Sequence, residues 1–152
     1  MGSGRSTYSI AKTACDVRVY LDSSALLKRV VAEPESAALQ AALRGYVDSQ
    51  TALVSSSVAW IEVSRALRRA AAIDPRLHPD ALTDVALSGV LERPLDAEVV
   101  ALARRVSPLV LRSLDAIHVA TALLVDADVL MSYDDRVVAA AQEHGLGTAA
   151  PI

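Results

Sequence analysis

Short apolar runs alternate with helix-patterned stretches along the chain after residue 17, and this alternation restricts the fold more than any single motif. Arg18 to Asp22 (RVYLD) reads as a first strand, Thr51 to Ser55 (TALVS) as a second and Asp128 to Ser132 (DVLMS) as a fourth. Val90 to Leu95 is a weak third strand, and Pro94 places it at a sheet edge. A short fifth strand is expected near Thr148 to Ala150. The first helix is expected over Ala25 to Val31, capped by Ser23 and Ser24. Pro34 breaks it, and a second runs from Glu35 to Arg44 with Gly45 as its stop. Ser57 to Ala72 carries Trp60, Val63, Leu67 and Ala70 on one face, so Trp60 reads as core rather than as a stacking platform for a base. Further helices are expected over Asp80 to Ser88, from an Asp96 cap to Val106, over Leu114 to Val125 behind a Ser113 cap, and over Asp134 to His144 before Gly145. Strands that alternate with helices imply an α/β fold with a parallel sheet covered on both faces. Residues 1–16 lack periodicity and read as a flexible extension, and residues 17–152 as one domain without repeat or linker.

Hydrophobic residues make up 53% of the 152, with no Phe and one Trp, so the core is aliphatic. No apolar run approaches the roughly 18 residues of a membrane span, and the start has no secretory h-region, so no membrane partner is expected. Cys15 is the only cysteine, which excludes an internal disulfide and a cysteine-rich zinc site and suits a reducing cytoplasm. His78, His118 and His144 make no H-x-x-x-H pair, so zinc hydrolase chemistry is not expected. The net charge is -3, so nucleic-acid binding would have to be local, through an arginine patch or through cations in an acidic pocket.

The acids fall where such a pocket would form. Sites in open parallel sheets lie at the carboxyl ends of the strands. Asp22 ends the first strand, Asp134 lies just beyond the fourth, Glu62 sits about two turns into the helix after the second, and Asp115 lies in the first turn of its helix. Four carboxylates gathered at one edge repel unless a hard cation joins them, and magnesium suits one or two direct carboxylates with outer-shell partners. Each acid also has a structural reading. Asp115 favours the helix dipole, Asp134 suits an N-cap, and Glu62 suits a pair with Arg65. Asp22 is the hardest to explain this way, because a carboxylate ending a core strand is expected to gain little structurally.

These segments resemble the PIN-domain family, in particular the VapC toxins of bacterial toxin–antitoxin pairs. Val19 to Lys28 (VYLDSSALLK) resembles the family's opening, Glu62 to Arg65 (EVSR) its second motif, Leu111 to Ala120 (LRSLDAIHVA) its third, and Ser132 to Asp134 (SYD) its fourth. The resemblance implies a PIN-like three-layer fold with a parallel sheet of four to five strands flanked by helices. It implies a magnesium-dependent endoribonuclease, with Mn2+ able to substitute, an RNA substrate, a homodimer and a VapB-like antitoxin in the active-site groove. Asp22, Glu62, Asp115 and Asp134 match the family's acidic positions, and Ser24 its small polar residue. Asp135 is a further acid beside the fourth position, so either member of that pair can face the metal.

Around these acids, Arg65, Arg69 and Arg112 are candidates for RNA phosphate contacts, although solvation or helix pairing also accounts for them. His118, one turn after Asp115, reads as structural rather than as a proton carrier. Two rival classes are a PIN-like binding scaffold without catalysis and another magnesium-binding α/β phosphohydrolase. A dehalogenase-type phosphatase would want an acid where Ser24 stands, an integrin-type site would want a polar residue where Leu26 stands, and no glycine-rich phosphate loop is present.

Overall fold

A computed structural model describes residues 16–152; the expected extension over residues 1–16 lies outside these, apart from Asp16. Five strands form one sheet: β1 (Arg18–Leu21), β2 (Ala52–Ser56), β3 (Val90–Arg93), β4 (Val129–Met131) and β5 (Gly147–Ala149). Seven helices connect and cover them: α1 (Ser23–Leu27), α2 (Ser36–Asp48), α3 (Ser57–Ile73), α4 (Pro79–Leu87), α5 (Ala97–Ala103), α6 (Ser113–Leu124) and α7 (Asp135–Glu143). The strand order is β3-β2-β1-β4-β5 and every pairing is parallel. The α/β expectation is met, and β3, followed directly by Pro94, is an edge strand as its proline required.

The period-two alternation of the strands divides the core. Tyr20, Val54 and Leu130 turn to one face, where they meet Val119, Ala120, Val137 and Ala140 of α6 and α7. Val19, Leu21, Leu53 and Met131 turn to the other, against Leu26, Leu39, Val63, Leu67 and Ala86 of α1 to α4. The result is three layers, helix–sheet–helix. Trp60 packs partly buried on the second cluster, as its helical spacing implied. No helix among the described residues is long and apolar enough to cross a membrane.

Several boundaries differ from the sequence reading, each for a local reason. Helix α2 continues through Gly45 to Asp48. A helical glycine costs only about 1 kcal/mol, which the packing of Leu39 and Leu43 offsets. The chain turns instead at Gln50, with φ 57°. Ser113 is the first residue of α6 rather than its cap; Arg112 holds the cap position without a side-chain hydrogen bond. Helix α5 stops at Ala103, short of Val106, whose side chain joins the core from the following loop. Strand β5 starts at Gly147, where a Cβ would come within 2.6 Å of the Asp128 carbonyl oxygen, so the strand begins on the one residue able to approach so closely.

Leu67 is 1% exposed and fills the space between α3 and the sheet. Leu67→Ala should lower unfolding stability by about 2–5 kcal/mol, the usual cost of a buried cavity. Urea unfolding followed by circular dichroism measures it; a loss under 1 kcal/mol would show that this face of the core is not close-packed.

Candidate active site

All five strands point the same way, so the residues that follow β1, β2 and β4 emerge at one edge of the sheet. Asp22 follows the central strand and is only 3% exposed. Its Oδ1 accepts hydrogen bonds from Ser24 Oγ at 2.6 Å and from the Ala25 N–H at 3.0 Å. Its Oδ2 accepts from Ser132 Oγ, just beyond β4, at 2.5 Å. Ser132 Oγ in turn accepts from the Asp134 N–H at 3.0 Å, and Ser24 Oγ from the Tyr133 N–H at 2.9 Å. Two expectations are corrected here. Asp22 itself, not Ser23 or Ser24, is the N-cap of α1, because its carboxylate already stands where the Ala25 N–H points. And the carboxylate at the end of the strand has a large structural part, since it ties β1, α1 and the β4–α7 turn together.

Glu62 does not pair with Arg65. It turns inward, where its Oε2 meets His118 Nε2 at 2.6 Å and accepts from Ser23 Oγ at 2.9 Å. Burial raises its pKa, but the hydrogen bonds from His118 and Ser23 outweigh that and hold the carboxyl below its ordinary value. His118 is 2% exposed and structural, as its position suggested.

Asp134 is the N-cap of α7, accepting the Arg136 N–H at 2.9 Å, and its other oxygen takes Arg136 Nη2 at 2.9 Å. The Arg136 hydrogen bond keeps its carboxyl below the usual range. Asp135 is exposed on the first turn of α7, and no shift of Asp115 is traced to it. The acid that acts electrostatically on Asp115 is Asp134.

Asp115 is the outlier. Its Oδ2 is the only buried side-chain oxygen or nitrogen among the described residues without a hydrogen-bond partner. Burial first, then the charge of Asp134, raise its pKa, and Arg136 and Arg112 only partly oppose them. An orphaned buried carboxylate oxygen beside a second acid is an arrangement that a hard cation would relieve. Asp22, Glu62 and Asp134 supply further oxygen donors along the same edge, with no cysteine among them. As the side chains stand, no group of three or more metal-ligating residues is gathered among the described residues. Three of the four acids are instead held by serines, His118 or Arg136. The donor set therefore fits an ion bound directly through one or two carboxylates, with the others at one remove.

A groove of about 610 Å³ opens beside Glu62. Leu27, Val58, Leu95, Leu114 and Ile117 line it, together with Glu62, Arg65 and Arg69. Arg65, Arg69 and Arg112 are exposed, and the first two line the groove. The sequence reading passed over Arg136. Its signal was the Asp-x-Arg pattern, which likewise pairs Asp74 with Arg76 in this chain.

Residues 19–143 match the family model described as PIN domain. Ribonuclease VapC46 of Mycobacterium tuberculosis is 43% identical over 135 residues, which cover 88% of this chain and 97% of that protein. The crystal structure of VapBC2 from Rickettsia felis bound to a DNA fragment from their promoter superposes with TM-score 0.69 at 12% identity, covering 88% of this chain and 98% of that one. A toxin–antitoxin complex from Klebsiella pneumoniae superposes with TM-score 0.64 at 19% identity, over 88% and 98% of the two chains.

The raised pKa of Asp115 has a sign. Its folded value lies above the unfolded one, so the folded state loses stability as pH rises from the unfolded value through the folded one. Asp115→Asn removes that loss. In chelator at neutral pH the variant should melt above the wild type, and the gap should close below about pH 4, the unfolded carboxyl range. Calorimetry across that range checks it; a lower melting temperature for the variant at pH 7 contradicts it.

Proposed function

The chain belongs to the PIN domain family, and we propose that it is a metal-dependent endoribonuclease, the toxin of a toxin–antitoxin pair. One observation carries the reading. In a chain 43% identical to Ribonuclease VapC46, Asp22 and Asp134 share Ser132 at the sheet edge, Asp115 feels the charge of Asp134, and Glu62 is bonded by Ser23 next to Asp22. Mg2+ or Mn2+ bound there would polarise a phosphoryl oxygen and lower the cost of forming the attacking hydroxide.

The chain's own residues have separate parts. Asp115 and Asp22 are the direct ligands in this reading, with Asp115 offering the oxygen that has no protein donor. Ser24 and Ser132 hold Asp22 in place. Glu62 and Asp134 complete the negative field at the edge, and Glu62 is placed to orient water. Arg65 and Arg69 hold the RNA backbone along the groove, and Arg112 beside Asp115 meets a phosphate near the cut. His118 is buried and bonded at both ring nitrogens, so it is not free to shuttle protons to a 2′-hydroxyl. The attack is therefore hydrolytic, with water rather than the 2′-hydroxyl as nucleophile.

The apolar lining of the same groove suits an amphipathic segment of a VapB-like antitoxin, which would cover Glu62 by occupying it. Leu109 and Val110, both nearly fully exposed ahead of α6, suit the second copy of a homodimer. Such a protein would work in the cytoplasm, where its RNA substrate is.

Cleavage of RNA should require Mg2+ or Mn2+, stop in chelator, and leave 5′-phosphate and 3′-hydroxyl ends, read by mass spectrometry of the fragments. Asp22→Asn and Asp115→Asn should each lower the rate by at least about 100-fold. Primary 2′,3′-cyclic phosphate products, or undiminished turnover in chelator, would refute the mechanism.

A further inference from the structure

A buried chain of hydrogen bonds runs from the core to Glu62. The Ser56 N–H donates to Tyr20 Oη at 3.2 Å, Tyr20 Oη lies 2.7 Å from His118 Nδ1, and His118 Nε2 lies 2.6 Å from Glu62 Oε2. Tyr20 is fully buried on β1, and its ring meets the imidazole edge-on, with centroids 5.9 Å apart. The chain thus crosses from the sheet through α6 to α3.

Proton counting orients it. The Ser56 N–H can only donate, so the tyrosine oxygen accepts there and has one proton of its own to give. The Ser55 and Thr121 hydroxyls near it already donate to the Leu21 and Ile117 carbonyls, and His118 Nδ1, at 2.7 Å, is the acceptor in hydrogen-bond contact. Tyr20 is fully buried, where a phenolate would lose its hydration, so that proton stays on the phenol. Given to Nδ1, it leaves the imidazole proton on Nε2, where it donates to Glu62. Ser23 Oγ donates to the same carboxylate oxygen, so both protein donors fall on Oε2 and none on Oε1.

We infer that Tyr20 and His118 form a positioning pair: Tyr20 holds the imidazole as its Nε2–H tautomer, and His118 with Ser23 grips Glu62 by Oε2, leaving Oε1 for cation-bound water. This rests on the reading of Glu62 as an acid of the site. His118 touches neither substrate nor metal and acts through Glu62. An exposed glutamate on α3 would sample several rotamers; one gripped from behind presents a single oxygen in one place.

Three measurements test it. In metal-free wild type, 15N–1H correlation spectra of the imidazole, assigned by the signal missing in His118→Ala, should show Nε2 protonated and Nδ1 bare. Tyr20→Phe keeps the ring and should keep the circular dichroism spectrum. It should weaken Mn2+ binding by calorimetry, and lower kcat with KM for RNA unchanged, each by about 10–100-fold. His118→Ala should do the same and add nothing further in a Glu62→Gln background. A proton on Nδ1, or wild-type Mn2+ affinity and kcat in folded Tyr20→Phe, overturns the pair. Should the wild type cleave no RNA, the functional reading falls, while the tautomer and the Mn2+ titration still decide the positioning claim.

Discussion

Asp22 carries its carboxylate at the buried end of the central strand, where an ion without donors would cost several kcal/mol. Two serine hydroxyls and the Ala25 N–H meet that requirement, and they come from both sides of the β1–β4 pair. The same serines then orient the Tyr133 and Asp134 amides at the start of α7. Satisfying one buried charge therefore aligns the turn after β1 with the turn after β4. Asp134 stands where it does because Asp22 has been held.

The other acids at this edge live in unequal surroundings. Glu62 is gripped through one oxygen, Asp134 is shared with Arg136, and Asp115 keeps a buried oxygen with no protein donor. Environments that push neighbouring carboxyls in opposite directions are a mark of functional sites. Here the divergence follows from position. Asp115 sits in the first turn of α6, facing the negative charge of Asp134, whereas Asp134 caps its own helix and has an arginine two residues on. The guanidinium of Arg136 acts on both acids.

The groove joins two chemistries. Aliphatic side chains line it together with Arg65, Arg69 and Glu62. A polyanion would be held by the arginines, whereas an amphipathic protein segment would bury the aliphatic side chains. Either occupant would lie against Glu62.

Much of this was legible before the structure. Local periodicity disclosed the five strands and the seven helices, and Pro94 disclosed the edge. Asp22, Asp115 and Asp134 drew notice by following strands or opening helices, and Glu62 by lying in the helix after β2. Local patterns carry that information because secondary structure depends on neighbours within one or two turns. What the sequence did not disclose lies between distant residues. Glu62 faces His118, 56 positions away, rather than Arg65 one turn on. Asp22 is satisfied by Ser132, 110 positions away, and so has a structural part its local context concealed. Gly45 stays within a helix that packing sustains. These outcomes depend on the order β3-β2-β1-β4-β5, which sets β4 beside β1 although β2, β3 and six helices lie between them in the chain. Composition and periodicity determined that acids would arrive at one edge. Only the tertiary structure decided which would be satisfied by the protein and which left open, because a hydrogen bond is a matter of a few tenths of an ångström between groups that only folding brings together.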